Sequence, residues 1–129
     1  MGIFVRYEPL PFANLADTPT TLLSTGLLTH PHTLIVNGIS LLNTTNQSIR
    51  FNLKKNRIQD TPVSIFRVKE FEIKPYQTID IVEYLKLQLV LKYSLTPDIT
   101  ENLQCFSNSP SQKFDCEITF TVLNETPLY

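Results

Sequence analysis

The sequence predicts an all-β chain: a single antiparallel β-sandwich of about eight strands, jelly-roll-like or Ig-like, behind an extended N-terminal arm. Three observations predict it. Alanine, the strongest helix former, occurs only at Ala13 and Ala16, against abundant Thr, Ile, Val, Phe and Tyr. Apolar residues alternate with polar ones at Ile49, Phe51 and Leu53 and again at Phe114, Cys116, Ile118, Phe120 and Val122, the period of a half-buried strand. Turn-forming clusters such as His30-Pro31-His32, Lys74-Pro75-Tyr76-Gln77 and Ser107–Ser111 divide the chain at strand-like intervals.

At 129 residues the chain is sized for one domain, divided here into an arm over 1–17 and a sandwich over 18–129. Such a chain buries about two thirds of its unfolded surface, enough for a core without metal or disulfides. In order, Met1–Thr18 reads as an arm with one short strand, and Thr18–Thr25 as the first strand of the body. Thr33–Leu42 is a long β-rich run in which Asn37-Gly38 marks a bulge or bend. The polar Asn43–Gln47 then connects it to Ser48–Lys54 as a hairpin. Lys54–Asp60 reads as a charged loop, and Val63–Ile73 as a strand whose apolar parity changes between Ile65 and Phe66, another bulge. Thr78–Val82 reads as a short strand. Leu85, Leu87, Leu89, Leu91 and Tyr93 alternate, which suits a strand, because leucines at every second position would encircle a helix. Thr96–Thr100 is a turn, Leu103–Phe106 a strand, and the stretch from Phe114 to Val122 the last strand.

Composition removes several function classes. Eleven basic against twelve acidic residues leave a net charge of −1, with no surplus for a nucleic-acid backbone or an anionic membrane. Only Gly2, Gly26 and Gly38 are glycine, too few for a phosphate-cradling loop. No apolar run approaches the roughly 20 residues of a membrane helix, and Met1–Tyr7 lacks the features of a secretory signal, so synthesis in a host cytoplasm without export is expected. The sequons at Asn43, Asn46 and Asn124 are accordingly polar turn residues.

No constellation of nucleophile, base and orienting group stands out, so no enzyme and no cofactor is expected. His30 and His32 fall on one side of an extended segment and could present a metal; a Pro-centred surface loop is the plainer account. Cys105 and Cys116 are accounted for as small apolar thiols in the core, the alternative being a disulfide across a hairpin. Arg50, Lys54, Lys55 and Arg57 form the one local basic cluster, a solvated loop or else a contact for an acidic neighbour in an assembly.

Three segments carry a resemblance: Thr33–Thr45 with its Asn-ended turn, Glu72–Ile81 with its Pro-containing turn, and Cys105–Pro110 together with Asp115–Glu125. Their layout resembles the small β-sandwich virion proteins of tailed bacteriophages, which serve as neck, collar, tail-accessory or capsid-decoration subunits. Where such proteins often carry a Gly-Asp turn before the penultimate strand, this chain has Thr96-Pro97-Asp98. The resemblance implies a non-enzymatic virion structural protein, located in the virion, with itself and other virion proteins as partners and neither nucleic acid nor membrane. Gly2, Ile3, Phe4 and Val5, with Pro127, Leu128 and Tyr129, are then the candidate intersubunit contacts, since arms and strand edges are natural addition sites. The alternative is a monomeric carbohydrate- or receptor-binding sandwich, for which Tyr76, Tyr84 and Tyr93 are the candidate aromatics.

Overall fold

The alternation at the end of the sequence becomes the strand that organises the molecule. In the computed structural model, which describes residues 3–6, 9–25, 32–59, 61–95 and 98–124, β10 (Phe114–Asn124) buries Phe114, Cys116, Ile118, Phe120 and Val122 and turns Asp115, Glu117, Thr119 and Thr121 outward. One edge of β10 pairs antiparallel with β4 (His32–Asn43). Its other edge takes both β1 (Ile3–Arg6) and β2 (Leu10–Leu15), which lie end to end as one edge position. The stretch expected as an arm with one short strand thus contributes two paired strands.

The far edge of β4 is shared in the same way. β7 (Thr78–Asp80) covers Ser40–Leu42, and β8 (Val90–Leu95) covers His32–Ile35. Between them stands α1 (Ile81–Leu85), which takes over the end of the strand expected at Thr78–Val82 and the first residue of the alternating leucine stretch, so that only Val90–Leu95 of that region is strand. Asp80 explains the change: its carboxylate accepts from the Val82 and Glu83 amides at 3.1 and 3.3 Å, satisfying the orphan donors of a helix start, and Lys86 ends the turn in the left-handed region. The same carboxylate accepts from the Ile39 amide, and Gly38 is glycine because an added Cβ would stand 2.9 Å from its second oxygen.

The second layer is β3 (Thr20–Ser24), β9 (Asp98–Ser107), β5 (Ile49–Ile58) and β6 (Val63–Ile73), paired in that order. Counting β1 with β2 and β7 with β8 as single positions gives eight in chain order. The first layer then reads 1-8-3-6 and the second 2-7-4-5. Successive positions mostly change layer, the double Greek key of a jelly roll, which decides against the Ig-like alternative.

That topology corrects two readings. β4 and β5 are not a hairpin: the Asn43–Gln47 connection carries the chain from one layer to the other. Asn43, fully buried, pins this crossing, its Nδ2 donating to the Gln47, Ile73 and Lys74 carbonyls and its Oδ1 accepting from the Thr45 amide at 2.9 Å. Nor is Lys54–Ile58 a loop, since β5 runs on through it. The bulge expected at Asn37-Gly38 is present, with Thr119 opposite Gly38 and Phe120 opposite Val36. The parity change in β6 is a pair of register shifts just beyond the expected site, where Leu53 faces Val68 and Lys54 faces Phe66.

Between the layers Phe51 of β5 meets Phe114 of β10 edge to face, centroids 5.6 Å apart, within a core of aliphatic side chains including Leu34, Ile39, Leu41, Ile49, Leu53, Leu91 and Leu103. His32 is part of that interior, its ring 5.2 Å from Tyr93, and not on a surface loop; His30 lies outside the described residues.

Candidate functional site

Opposed residues of an antiparallel pair share a face, so the register of β9, β5 and β6 sorts their side chains. Leu103, Lys55 and Ile65 form one row, and Glu101, Arg57 and Val63 the next. Leu103 is fully buried in the core, which places both rows on the inner face of the second layer. Yet Ile65 is 56% exposed and Val63 40%. The inner face of this sheet therefore outruns its cover, and a cleft of about 200 Å³ opens there, lined by Lys55, Arg57, Val63, Ile65, Arg67 and Glu101.

Glu101 is the anchor of the cleft. It is 1% exposed, and burial of a carboxylate is tolerated only with charge and hydrogen-bond partners. Its Oε2 takes Arg57 Nε at 3.0 Å and Lys55 Nζ at 3.6 Å, and its Oε1 accepts the Lys92 amide at 2.7 Å. Its backbone is held as well, the amide donating to Thr25 Oγ1 and the carbonyl accepting the Thr25 amide, both at 2.8 Å. β5 and β8 thus converge on the side chain, and Thr25 at the end of β3 on its backbone. Arg67 closes the far wall by donating to the Gln88 carbonyl at 3.2 Å. Both carboxylate oxygens being occupied by donors, Glu101 serves as a fixed counter-charge, and the lining keeps three cations against one carboxylate.

The outer face of the same strands is different in kind. Asn56 donates to Asn102 Oδ1 and Gln104 Oε1 and accepts from Ser64, a ladder of mutually satisfied amides. Beside it Lys54 Nζ stands 4.6 Å above the Phe66 ring and 5.6 Å above Phe106, with Lys69 at 5.3 Å from Phe66. The basic cluster foreseen at Arg50, Lys54, Lys55 and Arg57 is therefore split between faces, with Arg50 reaching the Glu70 carbonyl.

The remaining candidate residues are dispersed. Ile3, Phe4 and Val5 lie in β1, opposite Asn124, Leu123 and Val122, while Gly2, Pro127, Leu128 and Tyr129 fall outside the described residues. Cys105 and Cys116 are free, buried thiols on β9 and β10, which are not partners in a hairpin; they meet across the two layers. The hydrogen bond its thiol gives to Cys116, burial and the charge of that neighbour push Cys105 far above its ordinary value. Tyr76 and Tyr84 are about two thirds exposed, at 65% and 64%, but one sits in a turn and the other on α1 against Phe71, and Tyr93 packs on His32. Among the described residues no three of His, Cys, Asp and Glu gather as a metal site, and no helix is long and apolar enough to cross a membrane.

Sequence reasoning missed Glu101 and the cleft. The signal was present: inward positions Cys105 and Leu103 extend by period two to Glu101, directly opposite Arg57.

No protein-family model and no curated protein matches the chain. Among solved structures it is similar over its whole length to a chain in the structure of the infectious bursal disease virus Gx strain, with TM-score 0.59 and 8% identity, covering 34% of that chain. It is similar over 95% of its length to a chain in the structure of the Gt strain of the same virus, with TM-score 0.56 and 6% identity, covering 33% of that chain. The protein thus spans about a third of the chains it matches, and at this identity the likeness is one of fold.

Proposed function

We propose that this chain is a non-enzymatic structural subunit of a virion, a jelly-roll unit that assembles with copies of itself and with other virion proteins. The observation that carries the reading is the likeness of fold, over the entire chain, to part of a chain in a virus structure. The uncovered inner face of β5 and β6 supports it, because apolar side chains left in solvent at the end of a core mark a surface that another chain completes. The finer placement, at the neck, tail or capsid surface of a tailed bacteriophage, draws its support from the three sequence segments that resemble such proteins.

Light scattering of the purified protein across a concentration series tests the reading. The expected result is a mass that rises above 14.8 kDa with concentration, or co-assembly when virion partners are added. A 14.8 kDa species at every concentration that also stays out of particles would overturn it. The terminal contacts are tested by deleting Met1–Glu8. This removes β1 but leaves β2 on β10, so the far-ultraviolet spectrum should persist while assembly is lost; assembly at the wild-type level would refute that role.

A further inference from the structure

β6 ends the hydrogen-bonded order of its layer, with β5 as its only partner among the described residues. One row of its backbone donors and acceptors is consequently left open. Natural edge strands are usually blunted by bulges or inward charge, and β6 follows that rule only in part. Its register shifts affect the stretch from Phe66 to Phe71, whereas Val63–Phe66 pairs with Lys54–Arg57 residue by residue. That regular stretch is also where Val63, Ile65 and Phe66 are 40, 56 and 42% exposed.

We infer that Val63–Phe66 accepts an added β-strand from a virion partner, and that the partner strand carries an acidic residue among its inward-facing aliphatic ones. The inference rests on the assembly reading above and names the partner of that surface. A strand laid along β6 would place every second side chain over the cleft, beside Val63, Ile65 and Arg67. The first two call for aliphatic side chains. The third calls for a carboxylate, because three cations share the cleft with the single carboxylate of Glu101, whose oxygens are already engaged. A second β6 meets these requirements poorly, since over Val63–Lys69 it offers no carboxylate and it carries its bulges with it.

The probe is a fluorescein-labelled seven-residue peptide with threonine on one face and glutamate, valine and valine on the other, compared with its lysine-for-glutamate counterpart. Anisotropy and backbone amide shifts are measured on the full chain. The glutamate peptide should bind about tenfold or more tightly than the lysine peptide, with shifts concentrated in β5 and β6 and affinity falling as salt is raised. Arg67→Glu should reverse the preference, and Ile65→Lys, which leaves the Gln88 contact of Arg67 in place, should weaken the glutamate peptide by a similar factor. Equal binding of the two peptides, no binding at millimolar concentration, shifts confined to other strands, or self-pairing of β6 in the unliganded protein would each overturn the inference. Failure here with the chain still entering particles leaves the assembly reading intact. Peptide binding by a chain that never enters particles has the opposite meaning.

Discussion

The two halves of β5 present one face to opposite surroundings. From Ile49 to Leu53 its inner positions are fully buried, Phe51 locked edge to face against Phe114 of the other layer. From Lys55 to Ile58 the same face carries two cations, opposite exposed Ile65 and Val63 on β6. Strand pairing does not separate them, since both halves lie between β6 and β9 from Phe51 to Arg57. What separates them is the presence of a facing layer. Where a second sheet covers the first, apolar alternation makes a core; where the sheet extends beyond its cover, the same alternation makes a surface held open by one buried carboxylate.

The contrast predicts a graded set of effects. Phe51→Ala at the covered end should cost about 3–5 kcal/mol in urea denaturation, because it removes a buried ring and leaves a cavity. A loss below about 1 kcal/mol would mean that the covered end is not the core. At the open end, Lys55→Ala with Arg57→Ala should cost about 2 kcal/mol by stranding the Glu101 carboxylate, less than for a fully buried pair because Arg57 is half-exposed. Adding Glu101→Gln to that double variant should recover part of the loss; a triple variant weaker than the double would show that the carboxylate stabilises through the Lys92 amide rather than through the two cations.

A third effect lies between the layers at the covered end. The Cys105 thiol is held neutral in the folded protein, whereas in the unfolded chain it ionises at its ordinary value of 9.0. The folded state then binds more protons than the unfolded one above that pH. Stability present below pH 9 should therefore be lost above it, by about 1.4 kcal/mol per unit of pH, and Cys105→Ala should flatten that slope in pH-dependent denaturation. An identical slope in the variant would contradict the account. The smallest effect belongs to the open end again: Ile65→Thr should stay within about 0.5 kcal/mol of the wild type, since nothing covers the side chain. A larger loss would show that the cleft is closed in solution.

Much of this was legible in the residues, and the division follows the physics. Alternation reports which face a side chain takes, so the inward sets of β10 and of Ile49–Leu53, and the bulges at Asn37 and in β6, were readable. Alternation says nothing about which strand lies alongside, and so the crossing between β4 and β5 read as a hairpin. The helix at Ile81–Leu85 was hidden because its β-branched start reads as the end of a Thr78–Val82 strand, although Asp80 followed three residues later by Glu83 is the local signature of a capped start. The cleft was missed because Lys55 and Arg57 read as part of a charged loop and Glu101 as lying between a turn and a strand. Only their register with Leu103 turns them inward.

On the assembly reading, the open end of the second layer is where another chain attaches. Hydrogen–deuterium exchange, read by mass spectrometry on the isolated chain and on the chain inside purified particles, measures this directly. Amides of Ile49–Leu53 should exchange slowly in both. Those of Val63–Phe66 that β5 leaves unpaired should exchange rapidly in the isolated chain and slow markedly in the particle. Equally rapid exchange of Val63–Phe66 in both, with the chain present in the particle, would contradict the central claim.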